Sequence, residues 1–213
     1  MRKSLSLLVA VALISLMPFA VADAGTGTFG DYIGINSGGG NVWYGATQPG
    51  PSTLMGFDGA DLGDFTVGDS MLLSGAELLT WKSDGGDVTG ASVYFAVYAD
   101  GTTAGGFTET TISHSANSPF NDAAGNTFTN GNDQKWANID STPDILSGVV
   151  AGNYNIAMYF TASTNEGVRY DSNSGNNFVA TFSVASASSV PEPAACLLLI
   201  AGIIPLALLR RRK

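Results

Sequence analysis

Apolar and polar residues alternate in short stretches along the middle of the chain, and clusters of Gly, Ser, Thr, Asn and Asp interrupt them every ten residues or so. Alternation with a period of two is typical of β-strands that have one face against a core. The interrupting residues favour turns, and this part of the chain shows no convincing helical period with caps. The pattern predicts an all-β fold, a single antiparallel β-sandwich (immunoglobulin-like or jelly-roll) that spans residues 25–184.

Seven segments carry the strand pattern: Asp31–Asn36, Asn41–Gly45, Ser70–Lys82, Ala91–Ala99, Phe107–Ser113, Asn153–Ala162 and Phe178–Val184. The third is long enough to be two strands, or one strand with a bend at Gly75. In the fourth, alternation turns the apolar residues toward a core and turns Tyr94 and Tyr98 toward the opposite face. Residues 115–133 are rich in Asn and Gly, and we expect them to form a long polar loop that is functional or mobile.

The N-terminal end departs from this pattern. Arg2 and Lys3 form a basic region, residues 5–20 are apolar, and Ala20-Val21-Ala22 offers a small-residue cleavage site. This arrangement is typical of a secretory signal peptide with a helical apolar region. We therefore expect residues 1–24 to be a signal peptide that signal peptidase removes, and the rest to be exported.

The C-terminal end departs from the pattern as well. After a linker of small residues at 185–189, Pro191-Glu192-Pro193 precedes an apolar run of 16 residues at 194–209, and four basic residues follow. As a helix, the run would span roughly 24 Å, less than the ~30 Å hydrocarbon core of a bilayer. Pro205 interrupts it. We expect a short transmembrane helix with a basic cytoplasmic tail.

These three parts in this order resemble the PEP-CTERM sorting signal of exopolysaccharide-producing bacteria. The residues that carry the resemblance are Val190, Pro191, Glu192 and Pro193 before the run, and Arg210, Arg211 and Arg212 after it. The resemblance implies that residues 190–213 are recognised by an exosortase and removed near Pro-Glu-Pro. The inner membrane would then hold the precursor only transiently, before release to the cell surface or extracellular matrix. The alternative is an ordinary single-pass anchor.

The charge distribution narrows the classes of partner. The chain has 9 basic and 18 acidic residues, a net charge of −9, but six of the basic residues lie in the two terminal segments. Residues 25–189 contain 3 basic and 16 acidic residues, a net charge of −13. Such a body repels the phosphates of nucleic acids, so we expect no nucleic-acid partner. The acidic excess favours cation binding or simple solubility.

Few residues in the body suit catalysis, and we do not expect an enzyme. The single cysteine, Cys196, lies in the C-terminal apolar run, and the single histidine, His114, has no Gly-x-Ser-x-Gly motif to complete a serine triad. Acidic residues are concentrated in glycine-rich turns, where aspartate also stabilises the backbone. A secreted hydrolase would need two carboxylates about 5–10 Å apart in a cleft.

Calcium is the only cofactor that the sequence suggests. Asp171 and Asn173 have the alternate oxygen spacing found at the start of a calcium loop, without the later glutamate of an EF-hand. The aspartates at 58, 61 and 64, and those at 84 and 87, form two further acidic groups. For each group the alternative is a solvated turn.

Two roles suit an exported β-sandwich of this kind. The first is a non-enzymatic structural or adhesive component of the cell envelope or extracellular matrix. The second is a carbohydrate-binding module for exopolysaccharide, in which Tyr94 and Tyr98 stack against sugar rings. The alternative for both tyrosines is packing against neighbouring strands. Residues 57–184 also faintly resemble uncharacterised sandwich modules of bacterial secreted proteins, through Asp61-Leu62-Gly63-Asp64-Phe65, Asp87-Val88-Thr89 and Val97-Tyr98.

Overall fold

Strands make up most of the protein in a computed structural model that describes residues 25–187. In chain order they are β1 (Gly25–Asn36), β2 (Asn41–Thr47), β3 (Met55–Gly56), β4 (Asp61–Thr66), β5 (Leu72–Ser83), β6 (Val88–Ala99), β7 (Thr108–Asn117), β8 (Phe120–Asn121), β9 (Thr127–Phe128), β10 (Asp133–Ile139), β11 (Gly152–Thr164), β12 (Gly167–Asp171) and β13 (Phe178–Ala185). A single 3-10 turn, Asn173–Gly175, lies between β12 and β13. The all-β prediction is confirmed. The predicted signal peptide and sorting signal lie outside the described residues.

Eleven of the strands form one continuous, curled sheet. Ten of them follow the order β3-β2-β1-β5-β10-β7-β6-β11-β13-β4. The eleventh, β12, pairs with residues 160–164 of β11, beyond the part of β11 that pairs with β13. Strands β8 and β9 form a separate two-stranded ribbon. The sheet curls so that β1 comes against β11 and β12, and β5 against β6. Its inner face therefore closes on one main core, to which both ends of the strand order contribute.

Apolar and polar residues alternate along β6 and β11, and the apolar face of each strand packs in that core. Val93, Met158 and Phe160 are fully buried, and Phe182 of the neighbouring β13 is 3% exposed. Burying side chains of this size contributes about 1.5–3 kcal/mol each relative to leaving them exposed. The predicted inward direction of the apolar residues in these strands is confirmed.

The pairing is mixed, which corrects the prediction of a purely antiparallel arrangement. β3 pairs with β2, and β4 with β13, in parallel. Both are short edge strands that the chain reaches after irregular connections. An alternating pattern specifies which face of a strand is buried, but it carries no information on the direction of the neighbouring strand. The segments at β4, β10 and β12 were also not predicted as strands.

The predicted choice at Gly75 is resolved in favour of one strand, β5, with a register irregularity opposite Gly34–Ile35. The glycine is needed for another reason. A Cβ atom at position 75 would lie 2.7 Å from the ring of Trp43, which is closer than carbon atoms pack. Gly75 therefore leaves room for the Trp43 ring beside β5.

Residues 115–133 are more ordered than the predicted polar loop. Strand β7 extends to Asn117, and the β8–β9 ribbon folds over the outer face of β1, β5 and β10. Phe120 of the ribbon is 8% exposed, and it packs with the fully buried Tyr32 and Leu79. This second, smaller core explains why β10 lacks the alternating apolar and polar pattern of a strand with one exposed face, since both of its faces are covered.

A polar network fixes the ribbon to the sheet. The Lys135 ammonium lies 2.6 Å from Glu77 Oε2 and donates to the carbonyl of Asn121 at 2.7 Å. The other Glu77 oxygen accepts the N–H of Ala123 at 3.0 Å. The Tyr32 hydroxyl donates to Asp122 at 2.5 Å. Burial raises the pKa of Glu77, and Lys135 opposes that rise.

No helix within residues 25–187 has the length and apolar character that crossing a bilayer requires.

Lys135→Met should destabilise the fold strongly at neutral pH. The substitution leaves the Glu77 carboxylate, 3% exposed, without its counter-ion, and breaking such a pair costs about 3–5 kcal/mol. Losing Lys135 raises the pKa of Glu77 further. A raised pKa in the folded state favours stability below the unfolded pKa, and that contribution is lost as pH rises through the folded pKa. Urea unfolding should therefore show a deficit at pH 7 that shrinks toward pH 4.

Lys82→Met is the matched control, because the Lys82–Asp87 pair has side chains 36% and 52% exposed. Its free energy of unfolding should stay close to that of the wild type. Equal losses of unfolding free energy in the two variants would show that burial does not strengthen the contribution of the Glu77–Lys135 pair to stability.

Candidate functional site

A group of aromatic rings lies on the outer face of the sheet, across β6, β11 and β12 and next to the start of β7. Tyr94, Phe107, Tyr159 and Tyr170 form this tyrosine patch. The rings of Tyr94 and Tyr159 are parallel to within 1°, with centroids 4.7 Å apart. Phe107 meets Tyr159 edge-on at 5.1 Å, and Tyr170 lies 6.4 Å from Tyr159. The Tyr170 side chain is 64% exposed.

Strand register produces the patch. Tyr94 lies directly opposite Tyr159, and Tyr170 lies opposite Thr161. Side chains on opposing residues point to the same face. Alternation places Tyr94 and Tyr159 next to the buried Val93 and Phe160, which point to the opposite face. The sequence predicted the direction of Tyr94. It could not predict the partners, because the pairing of β6, β11 and β12 joins distant parts of the chain.

Polar groups border the patch on the β7 side. Glu109 is opposite Tyr94, and its carboxylate accepts the hydroxyl of Ser92 at 2.7 Å. Burial, and then the hydrogen bond and charge of Glu109, raises the pKa of Tyr94 to about 12. Burial, and then the charges of Tyr170 and Glu109, also raises the pKa of Tyr159. The phenols of Tyr94 and Tyr159 therefore remain neutral at physiological pH and can donate a hydrogen bond.

Tyr98, the second tyrosine predicted to stack on sugar, lies outside the patch. It is half-buried and pairs with Asn155 of β11. It borders a different depression of about 560 Å³, whose other side includes Pro143 and Val149. The structure thus separates Tyr94 from Tyr98, and sugar stacking by either ring stays a prediction. Phe107, Tyr159 and Tyr170 were not predicted to join Tyr94 as one surface.

The two predicted calcium ligands contact different partners. The Asn173 amide nitrogen donates to Asp58 at 3.1 Å and to the carbonyl of Asn177 at 3.2 Å. The Asp171 carboxyl instead lies near Asp31, because β12 comes against β1, and its charge acts on the Asp31 carboxyl. Within residues 25–187, no three His, Cys, Asp or Glu side chains group together in a way that could hold a metal ion. Calcium binding by Asp171 with Asn173 stays a prediction.

Asp31 was not predicted as a site residue. It is fully buried, and its Oδ1 accepts the N–H of Thr47 at 2.5 Å. Burial, and then the charge of Asp171, raises the pKa of Asp31 well above its usual range. The one signal in the sequence was an acidic residue at the point where β1 becomes apolar, in Asp31-Tyr32-Ile33.

The other aspartates considered for calcium make local structural contacts. Asp58 accepts the N–H of Val179 at 2.9 Å, and Asp61 accepts that of Gly63 at the same distance. Asp64 accepts the hydroxyl of Ser183 at 2.5 Å. Asp84 occupies a turn with φ of 49°, and Asp87 pairs with Lys82.

An open cleft of about 660 Å³ lies between the β1–β2 turn and β4, and it holds two carboxylates, those of Asp64 and Asp69. Asp64 accepts the hydroxyl of Ser183, and Asp69 accepts the N–H of Thr66 at 2.7 Å. Asp64 therefore links β4 to β13, and Asp69 stabilises the turn after β4. His114 is exposed and meets Trp136 edge-on, while its neighbour Ser113 donates to Asp140 at 2.9 Å.

Comparison with models of known protein families finds no match to this chain. A search of curated proteins also finds no significant match.

Glu109→Gln should lower the pKa of Tyr94 from about 12 toward the usual value for tyrosine, because it removes the negative charge that opposes ionisation of the phenol. The measurement is an NMR titration of tyrosine labelled at the ring carbon that bears the hydroxyl. Glu166→Gln, which changes an acidic residue bound to Arg169, is the matched control and should leave Tyr94 unchanged. An unaltered titration of Tyr94 in Glu109→Gln would contradict the assigned contact.

Proposed function

We propose that the protein is an exported, non-enzymatic component of the cell envelope or extracellular matrix, and that it adheres to polysaccharide through the tyrosine patch. The observation that carries this proposal is the group of four aromatic rings on the outer face of the sheet, with Tyr170 64% exposed. Contiguous exposed aromatic surface on a strand-built face is typical of a binding site.

The chemistry of the patch suits a sugar better than a purely apolar ligand. A pyranose ring has apolar C–H faces and polar hydroxyls around its edge. Tyrosine presents an apolar ring together with a hydroxyl that can donate or accept a hydrogen bond. The neighbouring Glu109 carboxylate and Ser92 hydroxyl supply further polar contacts at the border of the rings.

The stack between Tyr94 and Tyr159 limits how a sugar could bind. Each of these rings turns one face toward the other, so neither offers that face to a ligand. Tyr170 is the most exposed ring and lies at the edge of the patch. We therefore propose that a sugar ring stacks on Tyr170. The stacked pair of Tyr94 and Tyr159 would pack beside the Tyr170 ring and support it.

Charge selects among polysaccharides. The 25–189 region carries a net charge of −13, and such a body repels anionic polymers over a distance set by the ionic strength. Neutral polysaccharide is therefore the preferred partner, and anionic exopolysaccharide would bind only with cations between the two surfaces.

Export and sorting belong to the same proposal. The signal-peptide pattern at 1–24 and the resemblance of 190–213 to a PEP-CTERM signal support processing by signal peptidase and an exosortase. We also infer that the curled sheet is a β-sandwich, in which the inner faces of β1–β5 and β6–β11–β13 are its two layers. The shared main core supports that description.

Tyr170→Ala should weaken binding of neutral polysaccharide about tenfold, or ~1.4 kcal/mol, because removal of an exposed aromatic anchor commonly costs this much. Affinity electrophoresis in gels that contain a neutral glucan, xylan or anionic alginate measures the change in mobility. Wild type should be retarded by a neutral polymer, and Tyr170→Ala less so.

Trp81→Ala is the control for the loss of an exposed ring elsewhere, since Trp81 is 37% exposed and lies on β5, outside the patch. Tyr98→Ala tests the tyrosine on the separate depression. Loss of retardation in Trp81→Ala or Tyr98→Ala, with Tyr170→Ala unaffected, would place sugar binding elsewhere on the protein.

Intact-mass analysis of the mature protein from producing cells tests the processing. We expect a species that lacks residues 194–213, and we expect Pro191→Ala with Pro193→Ala to increase the unprocessed form. A wild-type protein that retains residues 194–213 would favour the single-pass anchor over exosortase processing.

A further inference from the structure

One buried carboxylate oxygen has no hydrogen-bond partner in the part of the chain that the structure describes. It is Oδ2 of Asp31, a residue with no exposed surface. The other oxygen, Oδ1, accepts the N–H of Thr47 from the neighbouring strand β2. Leaving a buried charged oxygen without a partner is costly, so such an oxygen indicates a missing ligand or proton.

Asp171 supplies the group that faces Asp31. It lies opposite Phe160 in the pairing of β12 with β11, and Phe160 is fully buried. Asp171 therefore points to the inner face of the sheet, where β1 comes against β12. Its carboxyl is half-buried and lies near the Asp31 carboxyl, whose pKa its charge raises.

Two carboxylates cannot satisfy each other, because an ionised carboxylate only accepts hydrogen bonds. A proton or a cation must lie between them. The basic residue nearest along β12, Arg169, does not fill this role in the described chain. Its guanidinium contacts Glu166 at 2.8 Å and the carbonyl of Thr26 at 3.1 Å.

We propose that Asp31 and Asp171 bind a Ca²⁺ ion between β1 and β12.

The chemistry of the pair favours calcium over softer or smaller metals. Both ligands are hard carboxylate oxygens, which suit Ca²⁺ better than softer metals. The half-buried Asp171 side gives access to water, which completes calcium coordination in many proteins. The acidic body raises the local concentration of divalent cations. This site differs from the predicted Asp171–Asn173 pair, because Asp31 replaces Asn173 as the partner ligand.

The proposed ion also has a structural consequence. Asp31 and Asp171 belong to strands far apart in the sequence, and the ion would tie the edge strand β12 to β1. Arg169 already makes one such link, through Thr26. Calcium binding should therefore stabilise the folded state by mass action, independently of whether the tyrosine patch binds sugar.

Thermal unfolding of the full-length chain in a mild non-ionic detergent, after treatment with a chelator, tests the proposal. Ca²⁺ at about 100 times its Kd should raise the Tm of the wild type by roughly 5–10 °C. Mg²⁺ should have a smaller effect, since it requires a tighter octahedral site. Isothermal titration should give one Ca²⁺ per chain.

Asp31→Asn and Asp171→Asn should each abolish the rise in Tm. The new amide of Asp31→Asn can still accept the N–H of Thr47 and can donate to Asp171, so without Ca²⁺ this variant should unfold at or above the wild-type Tm. Asp84→Asn makes the same change of charge in an exposed turn and should keep the full Ca²⁺ response.

Two outcomes would overturn the proposal. The first is a wild type with no Ca²⁺-dependent rise while Asp31→Asn is more stable, which would show that the pair shares only a proton. The second is an equal rise in wild type and both variants, which would place Ca²⁺ elsewhere. If Asp31→Asn does not fold, Asp171→Asn, at the half-exposed ligand, decides between these outcomes.

Discussion

The antiparallel pairing of β6 with β11 is the interaction on which the rest of the structure depends. It lies within the long continuous sheet and pairs Tyr94 with Tyr159 and Phe95 with Met158. One face of the pair closes the main core, and the other carries the tyrosine patch. A slip of one residue in register would exchange the two faces, so burial of the apolar side also fixes the exposed arrangement of aromatic rings.

The curl of the sheet creates a different constraint, because it brings polar residues of distant strands into buried positions. On the outer face of β5 and β10, Glu77 and Lys135 form a buried ion pair that the β8–β9 ribbon covers. On the inner face, Asp31 lies near Asp171, and within residues 25–187 the neighbouring Arg169 pairs with Glu166 instead. The first group satisfies its charges within the protein, whereas for the second we propose a bound Ca²⁺ ion.

Strand β12 connects the two proposals. Its alternation turns Tyr170 outward to the patch and turns Asp171 inward to Asp31, so neighbouring residues serve opposite faces. β12 pairs on one side only and is the edge element of the sheet at that point. An ion that links Asp171 to β1 would restrict the edge on which Tyr170 is displayed, so order on the inner face would support binding on the outer face.

The sequence by itself determined the all-β class and the direction of side chains in the clearest strands. Alternation in residues 91–99 and 153–162 depends on local chemistry, since each strand has one apolar face wherever it pairs. It also determined the acidic character of the body. Only the tertiary structure decided which strands are neighbours, that two pairings are parallel, that the polar segment 115–133 covers a second core, and that Asp31 meets Asp171. The physical reason is that a strand pattern records burial of a face, whereas strand order and contacts across the curl depend on long-range packing that no local pattern encodes.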